Sequence, residues 1–337
     1  MRSISRVLRS LTWIISATAI YAPAMNANAV PVIPGFNVDV YASVTDPMRL
    51  TFAPDGTMFV ARDNSGSGGT GSSAAKIHRV APGGGSVTEY GDVAIVDPDT
   101  VLFDATGAIS GTAGSVLVGS DVGSSGRISA VLPDETVVTV FGPAFPIDNP
   151  HEMLFDSTGR LLIAEISDTS PRVLSSSGSH PTSLYSLPGA PERPLDMAVD
   201  SSDRIYTRGP SDSIIVHDAS GVLLDPSFSS VPTGVPTPSP QDVGLDFGAG
   251  GVWGNDLFAA AEGGEIWRID SLGNATVFAT GFNDIRDLRF GVDGALYVSE
   301  FGEDRVLRLS AVPEPSTYAL AAFGLIGLGL LAYRRFR

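Results

Sequence analysis

A short unit recurs six times along this chain: an apolar run ending in Phe or Val, a tight turn, then a second apolar run. In the last copy Leu288 and Phe290 lead into the Asp293-Gly294 turn, followed by Leu-Tyr-Val (296–298) and Val-Leu-Arg-Leu (306–309). Apolar residues alternating with polar ones mark strands. An Asp-Gly pair between such runs marks a hairpin, because glycine reaches positive φ at little steric cost. The anchors that end the first runs are Phe52, Phe103, Phe155, Val199, Phe247 and Phe290, spaced by 43 to 52 residues. A period near 45 residues with about four strands per unit is the pattern of a β-propeller. A helical repeat of that length is disfavoured, since these units are β-branched, turn-rich and alternate with period two.

The sixth copy lacks a fourth strand of its own. Its equivalent lies at the other end of the folded region: Val-Asp-Val-Tyr-Ala (38–42) matches Ala-Thr-Val-Phe-Ala (275–279), and Asp46 through Phe52 matches Asp284 through Phe290. The expected fold is therefore all-β, a six-bladed β-propeller closed by the N-terminal strand. Closure protects strand edges that would otherwise invite pairing with other chains. Two insertions fall between strands, a Gly/Ser-rich loop at 65–73 and a Pro-rich connector at 231–240. The glycine-rich stretch 66–71 lacks the lysine and helix of a nucleotide loop.

The ends divide the chain into three parts: 1–29, 30–311 and 312–337. Arg2, Arg6 and Arg9 precede an apolar run that stops at Ala27-Asn28-Ala29, the pattern of a secretory signal peptide cleaved after Ala29. At the other end, Pro313-Glu314-Pro315 precedes an apolar stretch over 318–333 and the arginines Arg334, Arg335 and Arg337. As a helix that stretch is about 24 Å long against a hydrocarbon core of ~30 Å, and the arginines can snorkel and act as a stop-transfer cluster on the cytoplasmic side. This tripartite tail resembles the PEP-CTERM sorting signal of Gram-negative bacteria. The resemblance implies an exosortase-type processing enzyme as partner, a C-terminal transmembrane sorting helix, inner-membrane anchoring before processing, and delivery to the cell surface or extracellular matrix.

Setting aside the arginines and the one glutamate of these end segments leaves 15 basic and 36 acidic residues, a net of −21. Such a surface repels nucleic acid and anionic polymers. The chain contains no cysteine, which excludes disulfides, thiolate metal sites and thiol nucleophiles.

The repeated units resemble those of NHL-repeat and gluconolactonase-type six-bladed propellers, on the pattern apolar-x-Phe/Val-x-x-x-Gly, Leu-Tyr-Val, Arg-Val-Leu-Arg-Leu. That fold hosts lactonases, lyases, quinone-dependent sugar dehydrogenases and pure binding modules. The innermost strand of each blade lines the axis. Three residues before the anchors stand Arg49, Thr100, Glu152, Asp196, Gly244 and Asp287, which share one alternation parity and hence one orientation. Glu152, Asp196 and Asp287 are the candidate ligands for a hard cation such as Ca2+, with Arg49 and Arg286 expected to balance charge at the channel mouth. Asp99, His151 and Asp242 lie nearby in sequence. Metal-dependent lactonases of this fold use a Glu, Asn and Asp set, and the asparagines are not evident here. His151 is expected to face away from Glu152, and Trp253 and Trp267 to pack between blades. Two functions fit: an exported, non-enzymatic module that binds exopolysaccharide or a small molecule, or a metal-dependent lactonase-like or sugar-oxidising enzyme built on Glu152, Asp196 and Asp287.

Overall fold

The computed structural model describes residues 30–62, 74–120, 126–142, 147–166, 172–178, 180–187, 194–209, 213–231, 244–261 and 263–312. Residues 1–29, expected to be a signal peptide, the sorting tail beyond Val312, residues 65–73 and Asp242 lie outside these. The described residues form 24 strands in six antiparallel sheets of four. Five sheets use four consecutive strands each. The sixth places the leading strand Phe36–Ser43 beside the last strand Arg305–Ala311, paired from Phe36↔Ala311 to Ser43↔Arg305. A backbone bond from Val312 N to Gly35 O extends this seam. No helix among the described residues is long and apolar enough to cross a membrane.

The innermost strands are Pro47–Phe52, Pro98–Asp104, Pro150–Phe155, Asp196–Val199, Leu245–Phe247 and Ile285–Phe290. Each ends at or beside its anchor. Tight turns follow, and the turns joining third to outer strands lie at the same end of the sheets. We call this end the turn face; the opposite, connection face carries the joins between blades.

The anchors act at the blade joints. Each packs against the second strand of the preceding blade. Phe52 meets Tyr297 at 4.7 Å, Phe103 stacks on Phe59 at 6.0 Å, Phe247 meets Tyr206 edge-on at 5.0 Å, and Phe290 meets Phe258 at 5.5 Å. At the other two joints aliphatic partners serve, Leu117 in the cluster of Phe155 and Leu162 in that of Val199. Aromatic pairs add about 0.5–1.5 kcal/mol beyond area burial, so the periodic Phe contributes between blades rather than within one. Trp253 is buried among Phe36, Phe258, Phe278 and Phe290, and Trp267 packs partly buried in the blade 4–5 cluster.

Two further devices fix the joins. In blades 3 and 6 a buried glutamate ends the second strand: Glu165 accepts from the Asp148 N–H and pairs with Arg172, and Glu300 accepts from the Asn283 N–H and pairs with Arg305. In the fourth copy Asp203 replaces the turn glycine and holds φ at 58°. Left-handed backbone costs a non-glycine residue about 1–2 kcal/mol. Its carboxylate accepts from the Ser157 N–H (2.9 Å) and hydroxyl (2.6 Å) of the neighbouring blade, which offsets that cost.

Removing residues 30–42 should lower the melting temperature by more than about 10 °C, since it strips one strand and the Phe36–Trp253 packing from a cooperative ring. A thermal melt matching the full-length protein would show that the seam contributes nothing.

Candidate functional site

Alternation along the inner strands carries the residues three before each anchor to the axis. Arg49, Thr100, Glu152, Asp196 and Asp287 are all buried there. At the sixth position Gly244 lies so close to the Asp287–Leu288 backbone that a Cβ would stand 2.1 Å from the Leu288 nitrogen. The three carboxylates singled out in the sequence therefore converge. Between them lies the Arg49 guanidinium. Its Nη1 is 2.7 Å from Asp196 Oδ2 and 3.5 Å from Asp287 Oδ1, its Nε is 3.3 Å from Glu152 Oε2, and its Nη2 donates to Leu195 O at 2.6 Å.

A second cation joins it. Arg289 Nη2 is 2.7 Å from Glu152 Oε1 and 3.6 Å from Asp196 Oδ1, and Nε is 3.4 Å from Asp287 Oδ1. Arg286, expected at the mouth, instead pairs with Asp284 at 2.9 Å and lies over the Phe301 ring. The reason is parity: residue 286 is one removed from Asp287, whereas 289 is two removed and shares its face. The same signal identifies Asp246, which occupies the place of Arg289 in blade 5. Asp246 Oδ2 accepts from the Phe290 N–H at 2.8 Å, Asp287 Oδ2 from the Leu50 N–H at 2.7 Å, and Thr51 Oγ1 from the Phe103 N–H at 3.0 Å. Each bond ties an inner strand to that of the next blade.

His151 departs from simple alternation. The register shifts between Pro150 and Glu152, and this bulge keeps His151 near the cluster beside Glu152. Its Nδ1 donates to Leu195 O at 2.9 Å, the carbonyl that Arg49 also uses. His78 and His217 sit in strands. His217 stacks on Tyr185 at 3.8 Å, and burial, with Arg62 adding, lowers His78 to about 4. Among the described residues no group of three or more His, Cys, Asp and Glu has the arrangement of a metal site.

The electrostatics follow from burial. Four carboxylates face two guanidiniums, so full ionisation would leave an excess of negative charge in a medium that stabilises it poorly. Burial raises Glu152 to about 8, with Arg289 and Arg49 opposing and Asp196 and Asp287 adding. Burial likewise raises Asp196 to about 6, against the pull of Arg49 and Arg289, and raises Asp246. Burial works against the Arg289 charge, but Asp287, Glu152, Asp196 and Asp246 overcome it and hold the guanidinium well above its ordinary range. Protonation within the cluster is thereby favoured, which reduces its excess of negative charge.

Above the cluster, on the turn face, a cavity of 260 Å³ is walled by Leu50, Val101, Leu102, Leu154 and Phe290, with Glu152 and Arg289 at its base. Two larger grooves of 490 and 420 Å³ lie at the joints of blades 6 and 1 and blades 4 and 5. They are built alike: Tyr297 or Tyr206 forms part of the wall, its hydroxyl is bonded to Asp293 or Asp200, and Arg308 or Arg204 stands beside it.

The PEP-CTERM protein-sorting motif is present at residues 311–337. No curated protein matches the chain by sequence. Among solved structures the fold is similar to a gluconolactonase from Xanthomonas campestris (TM-score 0.62, 14% identity, 83% of this chain and 91% of that one). It is also similar to selenomethionine-substituted virginiamycin B lyase from Staphylococcus aureus (TM-score 0.56, 14% identity, 82% and 100%). A third similar structure is the soluble aldose sugar dehydrogenase from Escherichia coli (TM-score 0.55, 15% identity, 82% and 100%).

Two outcomes test the cluster. A carboxyl whose pKa is raised on folding contributes stability that is complete below its unfolded value and is lost as pH rises through the folded one. Glu152 and Asp196 thus predict a melting temperature that falls by several degrees from pH 5.5 to pH 9, measured by calorimetry. Glu152→Gln should flatten that slope, and a melting temperature rising toward pH 9 would exclude the assignment. Arg49→Met should cost about 3–5 kcal/mol in chemical denaturation, because it leaves three buried carboxylates to share Arg289 alone.

Proposed function

We propose that this chain is an exported, surface-directed propeller that acts as a binding and structural module. The PEP-CTERM motif supports handling by an exosortase-type enzyme and transit through a membrane-anchored stage before the surface. One observation carries the non-enzymatic reading: the place where a cation would complete the axis is taken by Arg49, within 3.5 Å of all three carboxylates. The donor set does not fit Ca2+ well. Asp287 also accepts from Leu50 N–H, Asp196 from Met197 N–H and Glu152 from Met153 N–H, so much of their acceptor capacity is committed. The turn-face grooves offer the binding surface. Aromatic rings beside hydroxyl, carboxylate and guanidinium groups suit a neutral sugar or a small polar ligand, and the acidic body disfavours polyanions.

A metal-dependent enzyme is the second reading, favoured by the convergence of Glu152, Asp196 and Asp287 on one axis. Calcium titration by calorimetry, with gluconolactone hydrolysis and sugar oxidation assays, separates the two. The binding module shows no calcium site tighter than about 1 mM and no turnover above background. A saturable calcium site tighter than that, together with turnover lost in Glu152→Gln while the fold persists, would establish the enzyme.

A further inference from the structure

The strand directions decide where the sorting tail leaves the ring. Inner strands run toward the turn face, second strands away from it, and third strands toward it again. The last strand, Arg305–Ala311, is a third strand, so the chain exits on the turn face of blade 6, where Val312 bonds to Gly35. Six residues on, at Tyr318, the apolar stretch of the tail begins. Six extended residues reach about 20 Å at most. A folded body of this size measures on the order of 45 Å across. The ring is therefore held closer to the bilayer than its own width, with the turn face nearest.

Large exposed apolar side chains gather on that face, among the turn carboxylates Asp200, Asp218, Asp270 and Asp293. Val32 is 92% exposed and Leu272 82%. Val222, Val252, Val292 and Val312 are exposed too, in the turns of blades 4, 5 and 6 or beside the exit. Among the described residues, the other large exposed apolar side chains lie along outer strands or at the start of one. None is on the connection face, and none is in the turns of blades 1–3. Exposed apolar residues are unremarkable singly, but their grouping around one exit marks an interaction surface.

We propose that, while the tail holds the chain in a membrane, the half of the turn face formed by blades 4–6 lies against the lipid headgroups and the connection face points away. The occupant of this surface is a bilayer, and a zwitterionic one is favoured because the ring is acidic. The axial cavity opens on the same face beside the docked half, with Arg289, Phe290 and Val292 of blade 6 in its lining and the remainder from blades 1–3.

The absence of native cysteine makes the test direct. Single cysteines are placed on the turn face (Leu272→Cys, Val292→Cys) and on the connection face (Thr45→Cys), all at exposed positions. The full chain is reconstituted in phosphatidylethanolamine/phosphatidylcholine vesicles and probed with a membrane-impermeant maleimide. A fluorophore at the same cysteines is read against brominated lipid. Vesicle flotation first establishes that the tail inserts. The expected result is labelling at 272 and 292 at least about fivefold slower than at 45, with quenching at 272 and 292 only. In detergent the rates should converge. Equal rates in vesicles that carry the floated chain, or protection at Thr45 instead, would overturn the docking while leaving the sorting assignment intact. Failure to float would overturn both.

Discussion

The seam between Phe36–Ser43 and Arg305–Ala311 is the constraint on which the rest of this molecule depends. A blade of three strands would leave the backbone groups of the last strand unpaired at an open edge. It would also let the sixth blade move relative to the first. The axial cluster needs that joint fixed, because Arg49 and the Leu50 N–H belong to blade 1 while Asp287 and Arg289 belong to blade 6. One ladder between residues far apart in sequence thus closes the sheet edges and positions the buried charges.

Those charges are arranged for mutual satisfaction. Arg49 reaches carboxylates of blades 3, 4 and 6, and Arg289 reaches those of blades 3 and 4 and the carbonyl of Leu245 in blade 5. A buried guanidinium tolerates this role because its planar fork serves several acceptors at once and does not give up its proton. Burial of the surplus carboxylate favours protonation, raising Glu152, Asp196 and Asp246 together. Breaking any one partner leaves the others uncompensated in a dry interior, and a buried network of this kind fixes a geometry more than it adds stability. The axis therefore behaves as a polar plug that registers five blades against each other.

Much of this was legible in the sequence. The anchor phenylalanines gave the blade number, and the match of 38–42 to 275–279 gave the closure. Strict alternation placed Glu152, Asp196 and Asp287 on the axis. Alternation misled where the backbone departs from it. The shift between Pro150 and Glu152 brings His151 beside Glu152, although parity separates them; the only sign is Pro150 itself, as Pro47 and Pro98 mark the same shift in blades 1 and 2. Arg289 was accessible by the same parity that selected Asp287, but the adjacent Arg286 competed for the role and only packing shows that Asp284 and Phe301 claim it. The aromatic pairs across joints were likewise invisible, because a periodic Phe reads as core without saying which blade supplies its partner.

The exit of the tail follows from topology alone, and it links the fold to its sorting motif. In a ring closed by its own leading strand the last strand is necessarily a third strand, and third strands run toward the turn face. In any propeller with this closure the C-terminal segment leaves from the turn face, whatever the surface composition. This chain adds exposed valines and a leucine to the half nearest the tether. Apolar side chains there gain from leaving water at a headgroup boundary without requiring a partner of defined shape. Strand direction thus places the short turns, the large exposed apolar side chains they carry and the exit of the chain at Val312 on one face.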